Sequence, residues 1–546
     1  MLQNLRKNRA VISFIVIAHL VLTIAGCGTT SSSSPVAKNV ILIIGDGMQL
    51  EHERAANNYL YGTSESGIEH QTFSYKGAVS SWDVQTYNRY AFANGSTKTI
   101  TGNDFDPQNS SSFTATMGYD PSKGGKLPYR QDTTGQTSYF GTKLKLSAAD
   151  TANPDNPATD SASAATALAT GFKTDSGNIN WRTGGKQPDS GKQPDNGKLV
   201  TIAEMYRNQR KASIGVISTV PFSHATPAGF ASHNKSRNNY TQIAQEMITS
   251  VRPDVVIGGG HPNYNDAAGI TGKNAYQYIG EPEYNLLKNS STTSGYTYVE
   301  RKAGVVGSSS LLAAADAAVA GGKKLFGLYG GVGGNFEYHK VSNDGSATIN
   351  RGSVENPTLA DASRAALKVL SQNSNGFFLM VEQGDIDWAN HSNDYAGMIG
   401  GVWDLNNAVK SIEAFIDSKT SPNLTWDNTL VIVTSDHGNS YMRLKKDLPK
   451  GKLPKQNPIN DGGAPAGYDS SVSYYYDPSE VTYGFGEKGI NAHTNELVTL
   501  YARGAGSNGF SGFEGSWYPG TRIIDNTHIY LTMMSALGLA DENRSK

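Results

Sequence analysis

Six short runs of apolar residues, at 40–44, 214–218, 255–257, 377–381, 430–433 and 497–501, stand apart from helical periodicity. Each is too short for a helix and too uniformly apolar for a strand with one wet face. They read as buried, mostly parallel strands of an α/β sheet. Helical patterns lie between them, notably at 199–208, 309–320 and 358–370. The stretch 87–156 is rich in Gly, Ser, Thr, Asn and Asp and has little periodicity, so it is expected to be an insertion and not a second core. A six-residue near-duplication, KQPDSG then KQPDNG within 186–197, reads as a polar surface loop without chemistry.

Polar residues at the ends of those runs change the picture, because open α/β sheets bind ligands at the carboxyl ends of their strands. Asp46 follows the first run in GDGM, Glu382 directly follows 377–381, and Asp436 and His437 follow 430–433 in TSDHGNS. A single Asp after a strand is usually a cap or turn former. Three such strands point to a site. In VEQGDIDWANHSND, Asp387 and His391 are four apart and share a helix face, whereas Asp385 points elsewhere. His493, in NAHTNE, precedes the last apolar run. Carboxylates and imidazoles without thiolates suit Zn²⁺ with a harder Mg²⁺ site beside it.

The stretch TDSASAATALATGFKT, residues 159–174, holds a candidate nucleophile, Ser161. Its local features are those of an ordinary helix: Asp160 as N-cap, alanines as formers, Gly171 as stop. A hydroxyl in the first turn nevertheless sits among free backbone N–H groups at the positive end of the dipole, where phosphate binds readily. No His lies between His70 and His224. An activator must therefore come from far along the chain, and a metal is one way to supply it.

The chain has 546 residues, a length compatible with three or four domains or with one large α/β unit carrying insertions. A net charge of -1 with Lys and Arg spread along the chain gives no electrostatic case for nucleic acid. Arg6, Lys7 and Arg9 precede an apolar run at 10–26, short for a membrane span and broken by His19, which fits a secretory signal over 1–26. Ile24-Ala25-Gly26-Cys27 resembles the processing box of bacterial lipoproteins, which implies cleavage before Cys27 and lipidation of its thiol. Residues 27–37 read as a Ser-rich tether. Cys27 is the only cysteine, so no internal disulfide is possible. Gly28 does not resemble the acidic inner-membrane retention signal, which leans towards attachment at the outer membrane on the periplasmic side.

GDGM, TDSAS, SHATPAG with SRNNY, the VEQGDIDWANH block, TSDHG and NAHT occur in that order across residues 38–540. Together they resemble the alkaline phosphatase family. The resemblance implies a three-layer α/β sandwich around a large, mostly parallel sheet of roughly ten strands, usually as a homodimer, with two Zn²⁺ and one Mg²⁺. By motif, Asp387, His391 and His493 are implied to hold the first zinc, and Asp436, His437 and Asp46 the second. Asp46 would bridge to magnesium, with Thr226 and Glu382 completing that site. Arg237 in SRNNY matches an arginine that forks onto two phosphate oxygens, and Ser161 matches the nucleophile of a double in-line displacement through phosphoserine. Gln49 departs from the Gly that most often follows the GDGM run, and is expected to alter the turn beneath Asp46. His224 and Trp388 stand at positions that vary among relatives, which makes magnesium the least secure of the metals. His52, His70, His233, His261, His339 and His528 match no ligand motif and are expected to be solvated or structural. The implied activity is hydrolysis of phosphate monoesters. A phosphodiesterase of the same metal plan and a non-catalytic, metal-stabilised phosphate-binding lipoprotein are the alternatives; the absence of a C/S-x-P-x-R pattern around Ser161 argues against a sulfatase.

Overall fold

A computed structural model describes residues 36–544, apart from 97–98, 101–110, 129–135, 151–155, 185–196, 266–268, 271–274, 290–293, 334, 337–338, 458–473 and 485–491. The signal segment, Cys27 with most of the tether, and the duplication up to residue 196 lie outside the described residues.

All six apolar runs are strands of one ten-stranded sheet. In chain order its members are β1 (Asn39–Gly45), β2 (Tyr75–Ser80), β3 (Ser213–Pro221), β4 (Val255–Gly259), β5 (Tyr296–Glu300), β6 (Lys324–Leu328), β7 (Phe377–Gln383), β8 (Thr429–Thr434), β9 (Val498–Gly504) and β10 (Ile523–Asp525). Across the sheet they run β10-β2-β9-β8-β1-β7-β3-β4-β6-β5. Every pairing is parallel except those of β9, which lies antiparallel to both β8 and β2. The central strands read as continuous apolar runs because both faces are covered: Val40, Leu42 and Ile44 enter one core, Ile41 and Ile43 the other. β5 and β10 escaped the pattern because β5 is half-buried at an edge and β10 is three residues long.

The first core is closed by helices that include Ser161–Thr170, Ile202–Arg210 and Asn526–Leu537. The second is closed by Leu50–Tyr61, Gly307–Gly321, Leu359–Leu370 and Tyr395–Asp417. The result is a three-layer α/β sandwich. The helix expected from 199 starts at Ile202 because Thr201 caps it, accepting from Glu204 N while Glu204 reaches back to Thr201 N. Thr358 and Asp361 make the same capping box before Leu359. Within 87–156 the described residues bring aromatic side chains instead of periodicity. Tyr87, Phe113, Tyr119, Tyr139 and Phe140 pack with Trp82, Trp517 and Tyr518 in a separate buried cluster.

Candidate metal and serine site

Strand register performs the first step of assembly. Ile44 of β1 pairs with Glu382 of β7 and Thr434 of β8, and Glu382 pairs in turn with Ser218 of β3. Asp46, Glu382 and Asp436 therefore leave neighbouring strands in one row at their carboxyl ends. Gly47 then turns the chain in the left-handed region, at φ 65. A Cβ there would lie 2.8 Å from Asp387 Oδ1, so only glycine admits this close approach. Gly47 N donates to Asp436 Oδ1 at 3.1 Å, and Met48 N to Ser435 Oγ at 2.9 Å. Gln49 follows as the N-cap of helix Leu50–Tyr61, and its Nε2 donates to Met442 O at 3.3 Å.

Two overlapping groups of ligand atoms result. Asp46, Asp436 and His437 form one and Asp387, His437 and His493 the other, with one ligand atom per residue lying within 4.8 Å of its partners in each group. His391 joins the second group, its Nε2 lying 3.2 Å from both Asp387 Oδ2 and His493 Nε2. The His437 and His493 rings stack at 3.6 Å between centroids. Backbone carbonyls set the tautomers. His437 Nδ1 donates to Gly438 O at 3.3 Å and His493 Nδ1 to Thr159 O at 2.9 Å. Each Nε2 is left with its lone pair facing the carboxylates. His437 Nε2 accordingly lies 3.4 Å from Asp46 Oδ1 and 3.2 Å from Asp436 Oδ2 with no proton to share.

Those two carboxylate oxygens, Thr226 Oγ1 and Glu382 Oε1 are all buried without a hydrogen-bond partner. Buried oxygens facing unprotonated imidazole nitrogens are costly unless a cation lies between them. The donor set, mixed nitrogen and oxygen on one side and oxygen alone around Glu382 and Thr226, fits zinc beside a harder ion. The electrostatics agree. Burial, then the neighbouring Asp436, Asp387 and Glu382, push Asp46 well above the usual carboxylate range. Burial likewise raises Glu382 to about 7 and, with Asp387 beside it, Asp436 to about 6. Burial opposes ionisation of Asp387 too, but the imidazoles of His391, His493 and His437 outweigh it and hold it well below that range. Burial lowers His437 to about 4 and His493 to about 3, which keeps both neutral as ligands.

Ser161 is the first residue of helix Ser161–Thr170, capped by Asp160, which accepts from Ser163 N at 3.0 Å, and stopped by Gly171 at φ 72. Its Oγ lies 3.1 Å from His437 Nε2, at the junction of the two ligand groups. The Arg237 guanidinium is held beside it by Asp160, Nη1 to Oδ2 at 2.9 Å. Burial raises the Asp160 pKa, but Arg237 and the N–H groups of Ser163 and Gly177 more than reverse it, leaving the carboxyl well below its ordinary value. Asp160 is thus both helix cap and arginine clamp.

All ten residues singled out from the sequence converge here, while Asp385 points away and accepts from Asn335 Nδ2 at 2.8 Å. Four supports had no part in the sequence reading. Ser218 Oγ donates to Glu382 Oε2 at 2.5 Å. Asn439 Nδ2 donates to Asp387 Oδ1 at 2.5 Å. Ser435 Oγ donates to His437 O at 2.8 Å, and Thr159 O accepts from His493 as above. Ser435 and Asn439 flank Asp436 and His437 within TSDHGNS, and Thr159 opens TDSAS two residues before Ser161, so these three were legible by proximity; Ser218, 164 residues from Glu382, was not. The six histidines outside the motifs are built into the fold. His233, for instance, bonds Glu246 Oε1 at 3.0 Å, and His528 Nδ1 accepts from Asp525 N at 3.0 Å.

A large parallel sheet with clustered carboxylates and imidazoles at its carboxyl edge, beside a serine at a helix start, defines a metallohydrolase-like α/β protein. The alkaline phosphatase family model matches residues 129–457. The chain belongs to the alkaline phosphatase family. It is similar to alkaline phosphatase 4 of Bacillus subtilis, 31% identical over 290 residues that cover 52% of this chain and 50% of that protein. The chain thus spans about half the length of that relative. It is 27% identical over 468 residues to the alkaline phosphatase of Escherichia coli strain K12, covering 80% of this chain and 84% of that protein. Its fold resembles that of the solved alkaline phosphatase from the Antarctic bacterium TAB5, with a TM-score of 0.54 at 20% identity, over 93% of this chain and 99% of that one.

Proposed function

We propose that the protein hydrolyses phosphate monoesters to alcohol and inorganic phosphate through a phosphoserine at residue 161. One observation carries the reading: the Ser161 hydroxyl stands 3.1 Å from His437 Nε2, where the two ligand groups meet and Arg237 is clamped alongside. A protein that merely bound phosphate would need the arginine and the helix start but would gain nothing from that hydroxyl.

Asp387, His391 and His493 would hold one zinc, Asp46, Asp436 and His437 the second, and Asp46, Thr226 and Glu382 a magnesium. When bound, these ions supply Lewis acidity that lowers the pKa of hydroxyl groups and offsets charge on the entering and leaving oxygens. Arg237 and the free N–H groups of the helix start orient the phosphoryl group and stabilise its non-bridging oxygens. Ser161 Oγ attacks phosphorus as the ester P–O bond breaks, and the alcohol leaves with a proton. Water then attacks from the vacated side, the P–Oγ bond breaks, and Ser161 regains its proton as phosphate departs. Asp160 keeps the guanidinium in place through both halves. The Arg237 fork and the Thr226–Glu382 pair support monoesters, whose terminal phosphate carries one more negative charge than a diester.

Acid-quenching the metal-loaded protein with ³²P-labelled phenyl phosphate and mapping the label tests this directly. Label on Ser161 is expected, absent from Ser161→Ala, together with at least about a thousandfold loss of kcat/KM in that variant. Zinc bound without phosphoserine at 161, or faster turnover of a diaryl phosphate than of the aryl phosphate, would overturn the reading. On the basis of the residues around Cys27 and of the family resemblance, we infer that the working form is a homodimer, exported and anchored through a lipid on Cys27. Incorporation of labelled palmitate that Cys27→Ser abolishes, and the mass of the detergent-solubilised protein, test these two points.

A further inference from the structure

The groups that converge on Ser161 are mostly buried and polar, but one wall beside them is aromatic. His224, Tyr240 and Trp388 are each partly exposed, whereas Asp46, Glu382, Asp436 and His437 are buried. The His224 and Tyr240 rings lie 12° from parallel, with centroids 5.9 Å apart. Trp388 meets His224 at 77°, with centroids 5.8 Å apart. Tyr278 backs Tyr240 edge-on at 4.9 Å, and its carbonyl oxygen accepts from Ser223 Oγ at 2.7 Å. That bond ties the backing ring to the segment that carries His224. His224 thus meets one ring nearly parallel and another nearly edge-on, and the three rings form a supported L-shaped corner.

Its position gives the corner a role. Trp388 follows Asp387 in the helix Asp385–His391, and Tyr240 lies three residues beyond Arg237, close enough for its hydroxyl to act on the guanidinium. His224 is in turn close enough to Arg237 and Asp387 for both to act on its imidazole, so the corner borders the arginine proposed to hold the phosphoryl oxygens, with its three rings partly open to solvent. A planar group there can lay its face on one ring and its edge on another, and aromatic pairs favour both arrangements. A puckered aliphatic group of equal size buries comparable area without either geometry.

We propose that His224, Tyr240 and Trp388 form a subsite for the alcohol half of the ester, selecting phosphate monoesters of planar aromatic alcohols over aliphatic ones; this rests on the monoesterase reading above. Calorimetry on the zinc-loaded protein with phenylphosphonate and cyclohexylphosphonate tests it without relying on turnover. Phenylphosphonate is expected to bind roughly three- to tenfold tighter than cyclohexylphosphonate. Trp388→Leu and Tyr240→Leu should bring that ratio close to one, and Trp388→Phe should retain most of it. A general loosening of the site weakens both ligands alike and leaves the ratio at its wild-type value, which overturns the proposal, as does equal binding of the two ligands by the wild type. Those outcomes leave phosphoserine formation at Ser161 intact and so remove the subsite alone. Absence of phosphoserine, by contrast, removes the monoesterase reading and this inference with it.

Discussion

Asp46, Glu382 and the Asp436–His437 pair leave three adjacent strands, whereas Asp387, His391 and His493 come from a seven-residue helix and a two-residue bridge. The first set is anchored by parallel ladders buried on both faces. Glu382 lies within those ladders, and Asp46 and Asp436 follow them by one and two residues. The second set is anchored locally, by Asn439, Thr159 and the helix itself, and it is wetter. The His391 and His493 side chains are 33% and 17% exposed, against 0% for His437. Segments with few ladder bonds and more exposure open at lower free energy. One site thus combines a stiff half, proposed to hold the ion that activates Ser161, with a looser half on the solvent side, where the alcohol would leave and water enter.

The sharpest way to break this contrast is to remove one ligand from each half. Asp436→Ala should abolish stable metal binding around His437 and lower kcat/KM by more than about a thousandfold, with no recovery in excess zinc. His391→Ala should lose about ten- to a hundredfold in zinc affinity and regain much of its activity when zinc is added. Equal and equally irreversible losses, measured by metal content and kcat/KM together, would erase the distinction. A smaller effect comes from the supports. Asn439→Ala removes a donor to Asp387 and should raise the zinc dissociation constant of the looser half by roughly five- to tenfold. Ser218→Ala, behind Glu382 and held by the register of β3 and β7, should leave both zinc affinities unchanged while weakening the ion beside Thr226. Isothermal titration of the apo variants with each metal separates the two.

The smallest effect concerns the loop that carries Arg237. Burial alone would lower the pKa of His233, but the Glu204 and Glu246 carboxylates raise it from 6.5 to about 10. With its folded pKa raised, this contribution to stability is fully present below about pH 6.5 and is lost as pH rises through about 10. The melting temperature of the wild type should therefore fall more steeply between neutral and strongly alkaline pH than that of His233→Gln. Parallel melting curves for the two proteins over that range would disprove the idea that this ion pair pins the loop.

Much of the fold was legible because burial on both faces of a parallel sheet demands uninterrupted apolar runs, and these stand out in 40–44, 377–381 and 430–433. β2, β5, β6 and β10 did not stand out. β5, reading YTYVE, has four of its five residues only half-buried, and such a strand needs no uniform apolar pattern. The ligands were legible because Asp and His after buried strands, or four apart on a helix, have few uses away from a site. The second role of Asp160 was hidden behind its adequacy as an N-cap. The pairing of Ser218 with Glu382 was hidden because register is a relation between strands 164 residues apart.

The sequence by itself determined which residues could do chemistry, which runs had to be buried, and that Ser161 begins a helix with Asp160 as its cap. Those are properties of single side chains and of neighbours a few positions apart. The tertiary structure decided that His437 Nε2 faces Ser161, that Thr159 and Gly438 fix the imidazole tautomers, that Gly47 must have no side chain where Asp387 approaches, and that the near-parallel rings of His224 and Tyr240 are met steeply by Trp388 from a distant segment. Each of these depends on distances of a few ångströms between segments brought together by sheet register and core packing, and no local pattern encodes them.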